Sequence, residues 1–212
     1  MEREEQPKSV LEQARDALRR ADPERVAALS GTHIERRGDV AILSVPLLDH
    51  VLVLTHPGLE VARADGRAHA GWQAHLLTYY LSRADGTPEA GTWVALRDLP
   101  DGMFYQTAYE GYSGGDLVRA FENDVQSFGA ACRALGGEVL DIGDAGYRFR
   151  VLPRVLLAAI YWSGEEGIRP SARVLFDASI RQYLPTDSCA ALGGWLAGRI
   201  IRAHRQGRAP EP

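Results

Sequence analysis

Residues 155–162, VLLAAIYW, limit the fold more than any other stretch of the chain. The run carries no charge and no alternating polar face. As an extended segment it must bury side chains on both sides of a sheet, so it belongs in the middle of one with both faces covered. Its flanks set the neighbours. Residues 138–142 and 147–151 read as a hairpin across Gly143-Asp144-Ala145-Gly146, with Tyr147, Phe149 and Val151 inward and Arg148 and Arg150 outward. Beyond the Ser163–Gly167 turn, residues 173–177, with the apolar run Val174-Leu175-Phe176, are expected to pair antiparallel beside the central strand.

The rest of the chain supplies helices and a second group of strands. Residues 1–7 are expected to be disordered. Ser9 can cap a helix with Leu11, Ala14 and Leu18 at helical spacing. Asp22-Pro23 restarts a second helix that stops near Gly31, which makes an N-terminal helical hairpin. Residues 40–45, 51–55 and 59–62 read as strands of an antiparallel meander. Residues 68–82 fit a helix, 92–97 a short strand and 99–102 a turn. Residues 116–135 read as one continuous helix, because Leu117, Phe121, Val125, Phe128, Cys132 and Leu135 recur every three or four positions. A last helix opens at Pro185-Thr186, and the chain is expected to fray from Ala203, with 205–212 disordered. No repeat or linker divides the sequence. The expectation is one α+β domain over residues 8–204, a mostly antiparallel sheet covered by three main helices, with the helical hairpin at its N-terminus.

Composition removes several function classes. The formal net charge of −4 gives no sign of nucleic-acid binding. The longest apolar run is far below the roughly 20 residues of a membrane helix. The charged start MEREEQPK lacks an apolar core, so no signal peptide is expected. Two cysteines, Cys132 and Cys189, are too few for a disulfide framework or a structural zinc site, which fits a reducing, cytoplasmic setting. No dinucleotide fingerprint, P-loop or nucleophile elbow is present.

Four fragments in order resemble a known family: LLTYYL (76–81), FGAACRALGG (128–137), LPRVLLAAIYW (152–162) and LFDASIRQYLPTD (175–187). They are similar to the domain-of-unknown-function family numbered 3786, over about residues 40–201, and the LFD…YLPT run is the most specific piece. The resemblance implies no activity. Some family members carry an added iron–sulfur domain similar to one in corrinoid proteins of one-carbon metabolism. This chain lacks the cysteine cluster for it and resembles the stand-alone form. The resemblance points toward corrinoid, tetrapyrrole or metal-linked cofactor metabolism.

Five groups of residues invite a functional reading, each beside a structural one. Asp177, Ser179, Arg181, Gln182, Tyr183, Thr186 and Asp187 gather where a strand hands over to a helix, which suits a ligand site and equally suits strand termination with Thr186 as helix cap. His75, Tyr79, Tyr80 and Trp162 can wall a flat-ligand pocket, bind a metal through imidazole or simply fill a core; His75 and Tyr79 are at i and i+4. On an uninterrupted strand His50 and His56 fall on one face, His69 could complete a metal set only through the fold, and no metal is expected. Cys132 lies on an apolar stripe and Cys189 in a first helical turn, without a nearby histidine in sequence. Gly193, Gly194 and Gly198 interrupt a helix at ~1 kcal/mol each relative to alanine, which calls for close approach of a backbone, a ligand or another helix. The leading expectation is a small-molecule-binding or accessory domain. One alternative is an enzyme using Asp177 or Asp187 as acid/base beside Tyr183. Another is an interaction subunit that meets a redox protein or a second copy of itself. The cofactor, if there is one, is not specified by the sequence.

Overall fold

The computed structural model describes residues 9–69 and 71–207. The expectation of disorder at 1–7 lies outside the described residues, as do residues 208–212. The fold is α+β, and every strand pair is antiparallel. The strands form two sheets rather than one. The chain divides into two compact units: the first runs to Thr87 and includes Gln182–Leu184, and the second holds Pro88–Arg181 and the chain from Pro185.

In the first unit, α1 (Val10–Arg20) and α2 (Pro23–Ser30) form the expected hairpin. Ser9 and Glu12 make a reciprocal capping box. Asp22 caps α2, with Pro23 at its start and Gly31 left-handed at its end. Strands β1 (His33–Arg37), β2 (Val40–Leu47), β3 (His50–His56) and β4 (Val61–Arg63) form a meander in chain order. Its buried face is Ala41, Leu43, Val45 and Leu47 with Leu52, Leu54 and His56. Helix α3 (Gly71–Arg83) packs on α1 and α2, burying Leu76, Leu77, Tyr80 and Leu81.

The second unit is built on a five-stranded sheet in the order β5-β9-β8-β7-β6. Its strands are β5 (Trp93–Val94), β6 (Glu138–Leu140), β7 (Ala145–Leu152), β8 (Val155–Trp162) and β9 (Ser171–Asp177). The apolar octapeptide is the middle strand, and all of its residues but Trp162 are buried. Residues 92–97 are a strand only at Trp93–Val94. The chain then turns into a 3-10 turn at Leu96–Asp98, because the Asp98 carboxylate accepts the Ala95 N–H at 2.8 Å.

The helix expected over 116–135 is two helices, α5 (Gly114–Phe121) and α6 (Val125–Ala134), preceded by α4 (Gln106–Tyr112). Glu122 has φ of 52°, which stops the first helix. Asp124 starts the second by accepting the Ser127 N–H at 2.9 Å. Asn123 between them donates to the Gly164 carbonyl at 3.0 Å and accepts its N–H at 2.6 Å. The apolar stripe survives the break: Leu117, Phe121, Phe128 and Cys132 are buried, and Val125 is half-buried. Helix α7 (Thr186–Gly207) continues past the expected fraying point, and its His204 ring lies 4.5 Å from that of Phe121.

Candidate functional site

In the polar connection 177–187, Asp177, Tyr183 and Thr186 are held mainly by hydrogen bonds to the main chain. Asp177 is 1% exposed. Its Oδ1 accepts from Ala90 N at 2.9 Å, Ser179 N at 3.0 Å and Ser179 Oγ at 2.6 Å, and its Oδ2 accepts from Gly91 N at 2.8 Å. Burial pushes its carboxyl up, but the Ser179, Ala90 and Gly91 donors outweigh this, so it sits below the usual carboxylate range. Tyr183 is fully buried, donates its hydroxyl to the Thr87 carbonyl and packs against Tyr80 with ring centroids 5.7 Å apart. Thr186 does not cap α7 with its hydroxyl, which donates to the Pro100 carbonyl at 2.6 Å. Arg181 and Gln182 are exposed on the 3-10 turn Ala178–Gln182. Asp187 is exposed and accepts the Ser188 N–H at 2.7 Å.

The other sequence candidates are dispersed. On α3, His75 is exposed, Tyr79 half-buried and Tyr80 buried, with its hydroxyl donating to the Ser30 carbonyl at 2.5 Å. Trp162 belongs to the second unit, at the end of β8. His56 is 8% exposed, with Nε2 2.9 Å from the Leu18 carbonyl oxygen. His50 lies between Asp49 Oδ1 at 3.2 Å and Gln73 Nε2 at 3.3 Å, and burial pushes its pKa down. Among the described residues, no group of three or more His, Cys, Asp or Glu side chains comes together to hold a metal ion. Both cysteines are buried, and burial pushes the Cys132 thiol up.

A different part of the second unit forms a concave site. Strand β9 pairs with β8 along its length but with β5 only through Phe176 and Asp177. Among the described residues, 171–175 therefore have no strand neighbour on the outer edge. Helices α4 and α5 cover that edge instead, a usual way to protect one. The Tyr109 hydroxyl donates to the Val174 carbonyl at 3.0 Å, and burial raises its pKa well above the usual tyrosine value. Gly114 sits against the Ala172 carbonyl so closely that a Cβ would run into the oxygen. The glycines of α7 belong to the same arrangement. A Cβ at Gly193 would meet the Tyr109 hydroxyl, one at Gly194 would meet the Tyr112 ring, and Gly198 faces open space.

Between the β9 edge, α4–α5 and the 95–97 segment lies a groove of about 450 Å³. That volume is within the ~300–1,000 Å³ of small-molecule sites. Its walls are apolar at Leu96, Val118, Pro170, Ala172 and Leu175, with Arg97, Arg119 and Arg173 among its polar groups. The Arg173 guanidinium lies 6.0 Å from the Trp162 ring centroid, so Trp162 stands next to a groove residue. Sequence reasoning missed Arg97, Tyr109, Gly114, Arg119 and Arg173. The one available signal was the glycine pair of α7, which announced a close approach without naming the tyrosines that make it. No curated protein and no solved structure matches this chain. A family model does match, over residues 22–199, and that span contains the whole groove: the chain belongs to the family described as a domain of unknown function, DUF3786.

Proposed function

We propose that this chain is a small-molecule-binding domain whose ligand enters the groove between β9 and α4–α5. The observation that carries this reading is the groove itself: a concave volume of about 450 Å³ with apolar walls and a few convergent polar groups. An acid–base enzyme centred on Asp177 has less in its favour, since both carboxylate oxygens already hold donors and its lowered pKa opposes proton uptake near neutrality. The link to corrinoid, tetrapyrrole or metal cofactor metabolism rests on the family resemblance alone. A fragment screen by two-dimensional NMR tests the proposal. Hits are expected to shift the amides of Ala95–Arg97, α5 and β9, and Val118→Trp is expected to abolish those shifts by filling the groove. Shifts confined to residues 177–187, or to the first unit, would refute it.

A second reading, an interaction subunit that meets a second copy of itself, is favoured by a cluster of exposed apolar side chains. Met103, Phe104 and Tyr105 are 70%, 86% and 46% exposed, directly before α4. Sedimentation velocity checks it: a concentration-dependent dimer that Phe104→Ser dissolves supports self-association, and a monomer at every concentration rejects it.

A further inference from the structure

We infer that the groove takes an amphiphilic oxyanion, a small molecule with a carboxylate or phosphate-monoester head and a short apolar body. This rests on the reading of the groove as the ligand site, and adds the charge and shape of what it accepts.

Charge is locally unbalanced in the groove. Three arginines from three separate segments line the groove, and among the described residues Glu110 is the one carboxylate in its lining. That carboxylate already accepts the Gln106 side-chain amide at 2.5 Å. Arg119 is held by Asp116 and by the Gly111 carbonyl. Arg97 has only a loose partner, Asp98 at 3.8 Å, with both side chains about half exposed. Among the described residues, Arg173 has no carboxylate within 4.0 Å. Its packing on Trp162 is through the ring face and consumes none of its five N–H donors. At Arg97 and Arg173 the groove thus offers planar, forked donors that the described carboxylates match loosely or not at all, which is the arrangement that recognises carboxylate and phosphate groups. The apolar walls supply the rest of the specificity. The half-buried Val118, Pro170 and Leu175 give a short hydrocarbon body somewhere to leave water, while the charged head stays with the arginines. A strand-like peptide is disfavoured, because the outward carbonyls of Ala172 and Val174 are already covered by Gly114 and Tyr109.

Titration calorimetry of the full chain with octanoate, octyl phosphate and 1-octanol at low salt, each below its aggregation concentration, tests the inference. At least one anion is expected to bind, with 1-octanol at least tenfold weaker. Whichever anion binds more tightly identifies the head group. Arg173→Gln is expected to weaken anion binding about tenfold and to leave 1-octanol unaffected, with an unchanged Tm showing that the fold is intact. If 1-octanol binds as tightly as both anions, or Arg173→Gln changes nothing, the oxyanion assignment is overturned while the groove reading stands. If none of the three binds but fragments still shift the groove amides, the ligand class is wrong. If fragments also leave the groove amides unmoved, the groove reading falls with it.

Discussion

The connection 177–187 and the groove along β9 are both rich in polar residues, and they use them in opposite ways. In the connection Asp177, Ser179 and Tyr183 are turned inward and matched, while Arg181, Gln182 and Asp187 stay exposed. Asp177 is 1% exposed and accepts from Ala90, Gly91 and Ser179, and the fully buried Tyr183 holds the Thr87 carbonyl. In the groove, Arg97 and Arg173 are exposed, the first only loosely partnered and the second without a carboxylate among the described residues. A buried polar group must be matched or the fold loses stability, so a dense polar motif in sequence reports on folding as readily as on binding. Unmatched donors in a concave place are the better mark of a site.

Mutations separate the two regions, beginning with the largest expected effect. Asp177→Asn replaces an acceptor with an amide that faces main-chain donors, and should cost about 3 kcal/mol in chemical denaturation. A loss below ~1 kcal/mol would break the contrast. The same carboxylate gives a pH signature. Its folded-state pKa is depressed, so its contribution is fully present above roughly pH 4 and is lost as pH falls through the folded-state value. Asp177→Asn should therefore flatten the acid limb of the stability curve. Gly114→Ala forces α5 away from the Ala172 carbonyl and should cost about 2 kcal/mol, with the groove reshaped. Denaturation together with fragment NMR reads both effects. Tyr183→Phe leaves the half-buried Thr87 carbonyl without the Tyr183 donor and should cost about 1 kcal/mol, measurable as a lowered denaturation midpoint with an unchanged slope. Arg173→Gln, at an exposed position, should change stability by no more than about 0.5 kcal/mol.

The parts of the fold that were legible in the sequence are those set by local periodicity and turn chemistry. Val155–Trp162 reads as a middle strand because no face of it tolerates water, and the hairpin before it and β9 after it follow from the glycine-rich turns. The capping residues Ser9, Asp22 and Gly31 mark the helical hairpin for the same reason. The break at Glu122 was hidden, because the apolar stripe stays in phase across it and Glu-Asn-Asp looks like an exposed helical face. What ends α5 is distant: Asn123 pairs with Gly164, and the Tyr161 hydroxyl donates to the Glu122 carbonyl. The groove was hidden for a related reason. Arg97, Arg119 and Arg173 are far apart in sequence, and they converge only because β5 covers just two residues of the β9 edge. Nothing in a linear pattern reports how much of a strand's edge its neighbour leaves uncovered.

On the reading proposed above, the connection supports the fold while the groove binds. Thermal melting and amphiphilic-anion titration, run side by side on Asp177→Asn and Arg173→Gln, test it most directly. The account predicts that Asp177→Asn lowers Tm by several degrees, with binding that tracks only the folded fraction, and that Arg173→Gln keeps the wild-type Tm but binds the anion about tenfold more weakly. It is contradicted if Asp177→Asn keeps the wild-type Tm and loses binding while Arg173→Gln binds like the wild type.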